Sequence, residues 1–86
     1  MDIYWQPKAV RQIKKLVKRE RAVAEQIKSA VGSLMDYPNA ANVKALVNHK
    51  YSHRLQVGNY RVLFNGDEVV QIISIEEVKK RDEHTY

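Results

Sequence analysis

Apolar residues recur along this chain in two rhythms. Ile3 to Gln6 is a short apolar and aromatic stretch that reads as a strand, and Pro7 follows it at a position suited to the first turn of a helix. Val10, Ile13, Leu16 and Val17 then repeat at helical spacing, with Lys8, Arg11, Lys14, Lys15 and Lys18 on the other face. A second helical period runs through Val23, Ile27, Ala30, Val31 and Leu34. The spacing predicts a helical hairpin broken between Lys18 and Arg21, and Pro38 with the segment from Asn39 to Asn42 ends the helical half. Beyond that point the period falls to two. Val57-Gly58-Asn59-Tyr60 signals a tight hairpin, and Phe64-Asn65-Gly66-Asp67 signals a second. Val69 to Ile75 is nearly all apolar, as in a strand buried on both faces. A three-stranded antiparallel meander is predicted from about His53 to Glu76, with Lys44 to Val47 as a further short strand.

The turns set the register, and the register decides which side chains share a face. With Gly58 and Asn59 as the loop, Val57 lies opposite Tyr60, Gln56 opposite Arg61, Leu55 opposite Val62 and Arg54 opposite Leu63. One face then collects Leu55, Val57, Tyr60, Val62, Phe64, Val69, Ile73 and Ile75, which the two helices can cover. The other collects Arg54, Gln56, Arg61, Leu63, Val70, Ile72 and Ser74. Two arginines side by side repel unless an anion, solvent or a carboxylate such as Glu68 or Glu76 compensates them. The expected fold class is α+β: an N-terminal strand and helical hairpin packed on a small antiparallel sheet, one domain spanning residues 1–86.

Composition narrows the chemistry. A formal net charge of +5 favours encounter with nucleic acid or with an acidic protein, and does not separate the two. The absence of cysteine excludes disulfides and thiolate metal sites. No apolar run approaches the ~20 residues that span a bilayer, and Met1 to Trp5 does not resemble a signal peptide, so the expectation is a cytoplasmic protein with no membrane association. His49 and His53 are four apart, but in a segment read as loop and strand, and no metal or other cofactor is expected. The C-terminal residues add Lys79, Lys80, Arg81, His84 and Tyr86, a run leaving the last strand beside the arginine face. Histidine is the side chain that titrates near neutrality, and tyrosine offers both a stacking ring and a hydroxyl.

The run Arg54-Leu55-Gln56-Val57-Gly58-Asn59-Tyr60-Arg61-Val62-Leu63-Phe64 resembles the R-x-R-x-G-x-Y-R-x-x-Y/F core of the RelE/ParE toxin superfamily. Ile72 to Ile75 followed by Lys79-Lys80-Arg81 and Tyr86 resembles that family's last strand and tail, so the likeness covers nearly the whole chain. The resemblance implies a toxin of a type II toxin–antitoxin system. Its RelE branch is a ribosome-dependent endoribonuclease, an mRNA interferase that cuts messenger RNA in the A site and inhibits translation. The implied partners are a cognate antitoxin protein, the ribosome with its 16S rRNA, and mRNA. Under this reading Arg61 matches the arginine after the hairpin, Arg81 or Lys80 the tail cation, Tyr86 the tail tyrosine and Arg54 one basic sheet position. The second basic position falls on Ser52 or Gln56, so one cation is missing and the general base is open; His84 is a candidate for it. Lys79, Lys80, Gln56 and Lys50 are candidate RNA contacts. The chemistry would be attack of a 2′-hydroxyl on the adjacent phosphorus, with a base, an acid and cations that stabilise the added charge, and it needs no metal. The ParE branch shares the fold but inhibits DNA gyrase without cutting RNA, and it is the alternative. A toxin-like chain that only binds an antitoxin is a third class.

Overall fold

The computed structural model describes residues 1–36 and 41–81. The chain runs β1 (Asp2–Trp5), α1 (Pro7–Arg19), α2 (Arg21–Gly32), a 3-10 turn (Ser33–Asp36), β2 (Val43–Ala45), β3 (His53–Val57), β4 (Tyr60–Asp67) and β5 (Ile72–Lys80). Pro7 opens α1 behind the extended Gln6, whose carbonyl accepts from Val10 N at 3.0 Å. Lys18 and Arg19 in the last turn complement the helix dipole. The predicted break falls on Glu20, whose φ of −145° and ψ of 77° lie outside the helical region. Its N–H still donates to Leu16 O and its carbonyl accepts from Ala24 N, so one residue joins the helices with neither group left over.

The sheet has five strands in the order β1-β5-β4-β3-β2. The predicted pairing of β3 with β4 is observed residue for residue, from His53 opposite Phe64 to Val57 opposite Tyr60. Gly58 has φ of +56° at the first loop position, the conformation a two-residue type II′ turn requires there. Ala9, Ile13 and Leu16 of α1 and Ala24, Ile27 and Val31 of α2 pack on Leu55, Val62, Phe64, Ile73, Ile75 and Val78. Full burial of an aliphatic or aromatic side chain of this size contributes about 1.5–3 kcal/mol. This layer is the core.

Four expectations change. The sheet is mixed rather than antiparallel, because β1 runs parallel to β5, Asp2 opposite Ile72 through Trp5 opposite Ile75. Asn65-Gly66 is not a turn: both residues lie inside β4, opposite Ser74 and Ile73. The turn comes at residues 68–71, where Asp67 Oδ1 accepts from Val69 N and Val70 N and Gln71 takes φ of 58°. Val69 to Ile75 is therefore not a buried strand. Val69 is 93% exposed, Val70 and Ile72 are also exposed, and β5 begins at Ile72 and runs on to Lys80. The short strand expected at Lys44 to Val47 is Val43–Ala45, paired with β3 so that Lys44 faces Arg54. An irregularity between Leu63 and Phe64 shifts the β4–β5 register, which restores Val78 to the helix side opposite Val62.

Candidate functional site

The sheet face away from the helices carries the candidate site. Arg54 and Gln56 alternate with buried Leu55 on β3, and Arg61 precedes buried Val62 on β4. Cross-strand pairing brings Gln56 opposite Arg61, and Arg61 opposite Lys79. Arg81 follows β5 and donates its backbone N–H to Asn59 O at 2.6 Å, which holds it against the β3–β4 turn. Gln56 Nε2 donates to Gly58 O of the same turn. The outcome is an open cleft of about 690 Å³ lined by Asn42, Val43, Lys44, Arg54, Gln56, Gly58, Arg61 and Arg81.

Arg61 is the floor of this cleft, only 9% exposed. Its guanidinium pKa is drawn below the ordinary arginine value, first by burial, then by the positive charges of Arg54 and Arg81. A guanidinium does not escape by losing its proton. The cation therefore stays charged beside Arg54 and Arg81, a repulsion that an incoming anion would offset. Among the described residues lining the cleft, none bears a carboxylate. Glu76 accepts from Ser74 Oγ and Glu68 lies near His53, so neither lines it. What the cleft offers is a planar, multidentate cationic surface, the arrangement that fits phosphate oxygens.

The sequence-predicted residues divide. Arg54, Gln56, Arg61 and Arg81 come together in the cleft. Lys79 is exposed beside Arg61 in register, outside the cleft lining. Lys80 is not among them: it pairs with Tyr60 in register and lines the groove between α1 and the sheet. Lys50 is exposed on the segment between β2 and β3, with its Nζ 5.4 Å from the Tyr51 ring centroid, and does not line the cleft. His84 and Tyr86 lie outside the described residues. Sequence reasoning missed Lys44 and Asn42. The signal for Lys44 was its alternation with Val43 in a strand too short to show a period. Asn42, with φ of 64°, offers its carbonyl to Gln56 N and so starts β2 beside β3.

On the helix side a second groove of about 310 Å³ is lined by Gln12, Lys15, Leu16, Arg19, Glu20, Tyr60, Val78 and Lys80. Gln12 Oε1 accepts from Val78 N at 2.7 Å, tying α1 to β5. Tyr60 donates its hydroxyl to Glu20 Oε2 at 2.9 Å, tying the helical break to the β3–β4 turn. Burial raises the Tyr60 pKa, the bond to Glu20 and the Glu20 charge raise it further, and Arg19 opposes them.

This architecture has known counterparts. A toxin described as YoeB/ParE from Agrobacterium tumefaciens superposes with a TM-score of 0.77 at 10% identity, covering 95% of this chain and all of that one (100%). The archaeal RelE–RelB complex of Pyrococcus horikoshii superposes with a TM-score of 0.76 at 18% identity, over 95% of this chain and 96% of that one. The toxin–antitoxin complex RelBE2 of Mycobacterium tuberculosis gives 0.72 at 18% identity, over 93% and 96%. At these identities the likeness establishes the fold. No curated protein matches the chain. The sequence profile of the family described as the ParE toxin of the type II toxin–antitoxin system parDE matches residues 3–83. The chain belongs to that ParE toxin family, within the RelE/ParE superfamily of type II toxins.

Proposed function

We propose that this toxin is a ribosome-dependent endoribonuclease that cuts mRNA in the A site. The observation carrying the reading is the largely buried Arg61 gathered with Arg54 and Arg81 in one open cleft. Arg61 and Arg54 would hold the scissile phosphate, and Arg81 would complete the charge stabilisation as phosphorus gains its fifth oxygen or help the leaving 5′-oxygen. Among the described lining residues there is no histidine, carboxylate or tyrosine to transfer protons. His84 is assigned to proton transfer as acid or base, and Tyr86 to positioning the 2′-hydroxyl or stacking on a base. Lys79, in register with Arg61, would contact neighbouring RNA.

The partner that silences the toxin is an antitoxin, a reading supported by the antitoxin complexes among the structural counterparts. The groove along α1 suits an amphipathic acidic segment. Leu16 and Val78 give it an apolar floor, and Lys15, Arg19 and Lys80 a cationic rim.

A second reading is favoured by one observation: the matching family profile is that of the ParE toxin. On it the chain would inhibit DNA gyrase and cut no RNA. Incubation with translating ribosomes, with mapping of mRNA ends beside a gyrase supercoiling assay, separates the two. The nuclease reading expects new ends in the A-site codon, loss of about 10²–10³ in rate for Arg61→Ala and of about 10²–10⁴ for His84→Gln. Intact mRNA together with blocked supercoiling would replace it with the gyrase reading.

A further inference from the structure

The two edges of the described sheet differ. β2 is three residues long with Lys44 at its centre, a charge that guards this edge against pairing with another strand. β1, at the other edge, is Asp2-Ile3-Tyr4-Trp5, with no Lys or Arg. Asp2 N donates to Gln71 O at 2.9 Å and Gln6 N donates to Ile75 O at 2.8 Å. Alternate residues of β1 therefore turn their N–H and C=O groups toward β5, and Ile3 and Trp5 turn theirs outward along the edge. The Ile3 and Trp5 side chains are partly buried against the core, whereas Tyr4, on the open face, is 58% exposed. The surroundings are acidic on a chain of net charge +5. Residues 1–7 hold Asp2 and no Lys or Arg, and residues 66–78, in β5 and the turn before it, hold Asp67, Glu68, Glu76 and Glu77 and no Lys or Arg.

We propose that β1 is a self-pairing edge, to which a second copy of this chain adds its own β1 antiparallel, about a two-fold axis at Tyr4. The register follows from the faces. Opposite residues of an antiparallel pair share a face, and the hydrogen bonds run between residues whose backbone groups point across the join. Centring on Tyr4 meets both conditions. Ile3 of each chain stands opposite Trp5 of the other on the helix side, and each such pair exchanges two hydrogen bonds. Tyr4 meets its own copy on the open face at the closer, non-hydrogen-bonded position, where two exposed rings cover one another. Asp2 meets the neutral Gln6. A shift by one residue would set core-facing side chains against open-face ones. Centring on Ile3 would keep the faces but oppose Trp5 to Met1, which precedes the strand. With Tyr4 at the axis the two Asp2 residues are four strand positions apart, about 13 Å, which exceeds the screening length of about 8–10 Å. Two copies thus meet without like charges in contact, whereas an acidic segment or a polyanion would face Asp2, Asp67 and Glu68. The strand order places the Arg54–Arg61 cleft of each copy away from the join, so both clefts stay open. The proposal is independent of the nuclease and gyrase readings.

Sedimentation equilibrium of the full chain on its own reads the association as mass. The expected result is a rise with concentration from the 10.0 kDa of one chain to twice that value. Tyr4→Lys and Tyr4→Glu each set like charges face to face at the axis, and each should stay at the mass of one chain. An equimolar mixture of these two variants should regain the doubled mass, which misfolded chains could not do. The chain has no cysteine, so Tyr4→Cys supplies a single thiol per molecule. Cα atoms at a non-hydrogen-bonded antiparallel pair lie about 4.5 Å apart, within disulfide reach. Mild oxidation should link Tyr4→Cys into dimers faster than Val69→Cys, whose position is more exposed but lies in the β4–β5 turn. A single-chain mass at every concentration up to millimolar would overturn the proposal and leave the edge to a strand of another protein. A doubled mass that persists in Tyr4→Lys would overturn it by placing the dimer on another surface. Equal linking of the two cysteine variants, the mark of random collision, would overturn it as well.

Discussion

Arg61 and Val62 are neighbours on β4, yet they face two different environments. Val62 is fully buried under the helices, among Leu55, Phe64 and Ile73, in a layer that is apolar throughout. Arg61 is nearly as buried on the opposite face, but its surroundings include Arg54 and Arg81. The helix-covered face lowers its free energy by removing apolar surface from water. The open face holds a largely buried cation beside two like charges, and burial, then those charges, lower its pKa. One side of the sheet holds the core, and the other is the face proposed to bind a ligand.

The largest effects on stability are expected on the covered side. Phe64→Ala should cost about 3–5 kcal/mol through lost burial and the cavity left behind. Val31→Asp should cost several kcal/mol by placing a carboxylate among the same side chains, about the same order as other unpaired buried polar groups. Both are read as lowered urea midpoints. If either substitution left the midpoint unchanged, the helix-covered layer would not be the core.

A smaller effect belongs to the seam between the two regions. Tyr60→Phe removes the hydroxyl bonded to Glu20 at an exposed site, and should lower stability by about 1 kcal/mol or less. It should leave the proposed ribosome-dependent cleavage at the wild-type rate, because Tyr60 lines the helix-side groove rather than the cleft. A large loss of cleavage would show that the two faces are not separable at this residue.

The smallest effect is a pH dependence. His53 stacks on Phe64, with ring centroids 5.4 Å apart, and Ser52 Oγ lies 2.7 Å from its Nδ1. Burial lowers its pKa below the ordinary 6.5, against an opposing pull from Glu68. The unfolded chain then binds the proton more readily than the native one. This contribution to stability is complete above the ordinary value and is lost as pH falls through the lowered native value. His53→Gln should flatten the decline of the urea midpoint over that interval, and an unchanged decline would place its cause in other groups.

How far the sequence revealed these two regions depended on whether local chemistry or distant pairing set the structure. Gly58 with its left-handed φ fixed the hairpin locally, so the arginine face was legible in the alternation around it. Asn65-Gly66 carried the same kind of signal and misled. Asn65 Oδ1 accepts from Ser52 N and Gly66 N donates to Ser52 Oγ, so contacts to a segment thirteen and fourteen residues earlier hold the pair extended. The apolar Val69 and Val70 look like strand but sit in a turn closed by the side chain of Asp67. The parallel pairing of β1 with β5 joins residues at opposite ends of the chain, and periodicity names no partner. Lys44 escaped notice because three residues of β2 are too few to display a face. His84 and Tyr86 were singled out from the sequence and remain assignments of the proposed mechanism.

The contrast between the two faces is tested most directly by the urea midpoint of Arg61→Met, a substitution that keeps an apolar side chain of comparable length and removes the charge. If the open face holds its cation for an anionic ligand, relief of burial and of repulsion by Arg54 and Arg81 should leave the midpoint unchanged or raised. A fall as large as that of Phe64→Ala would contradict the account and make Arg61 a structural residue.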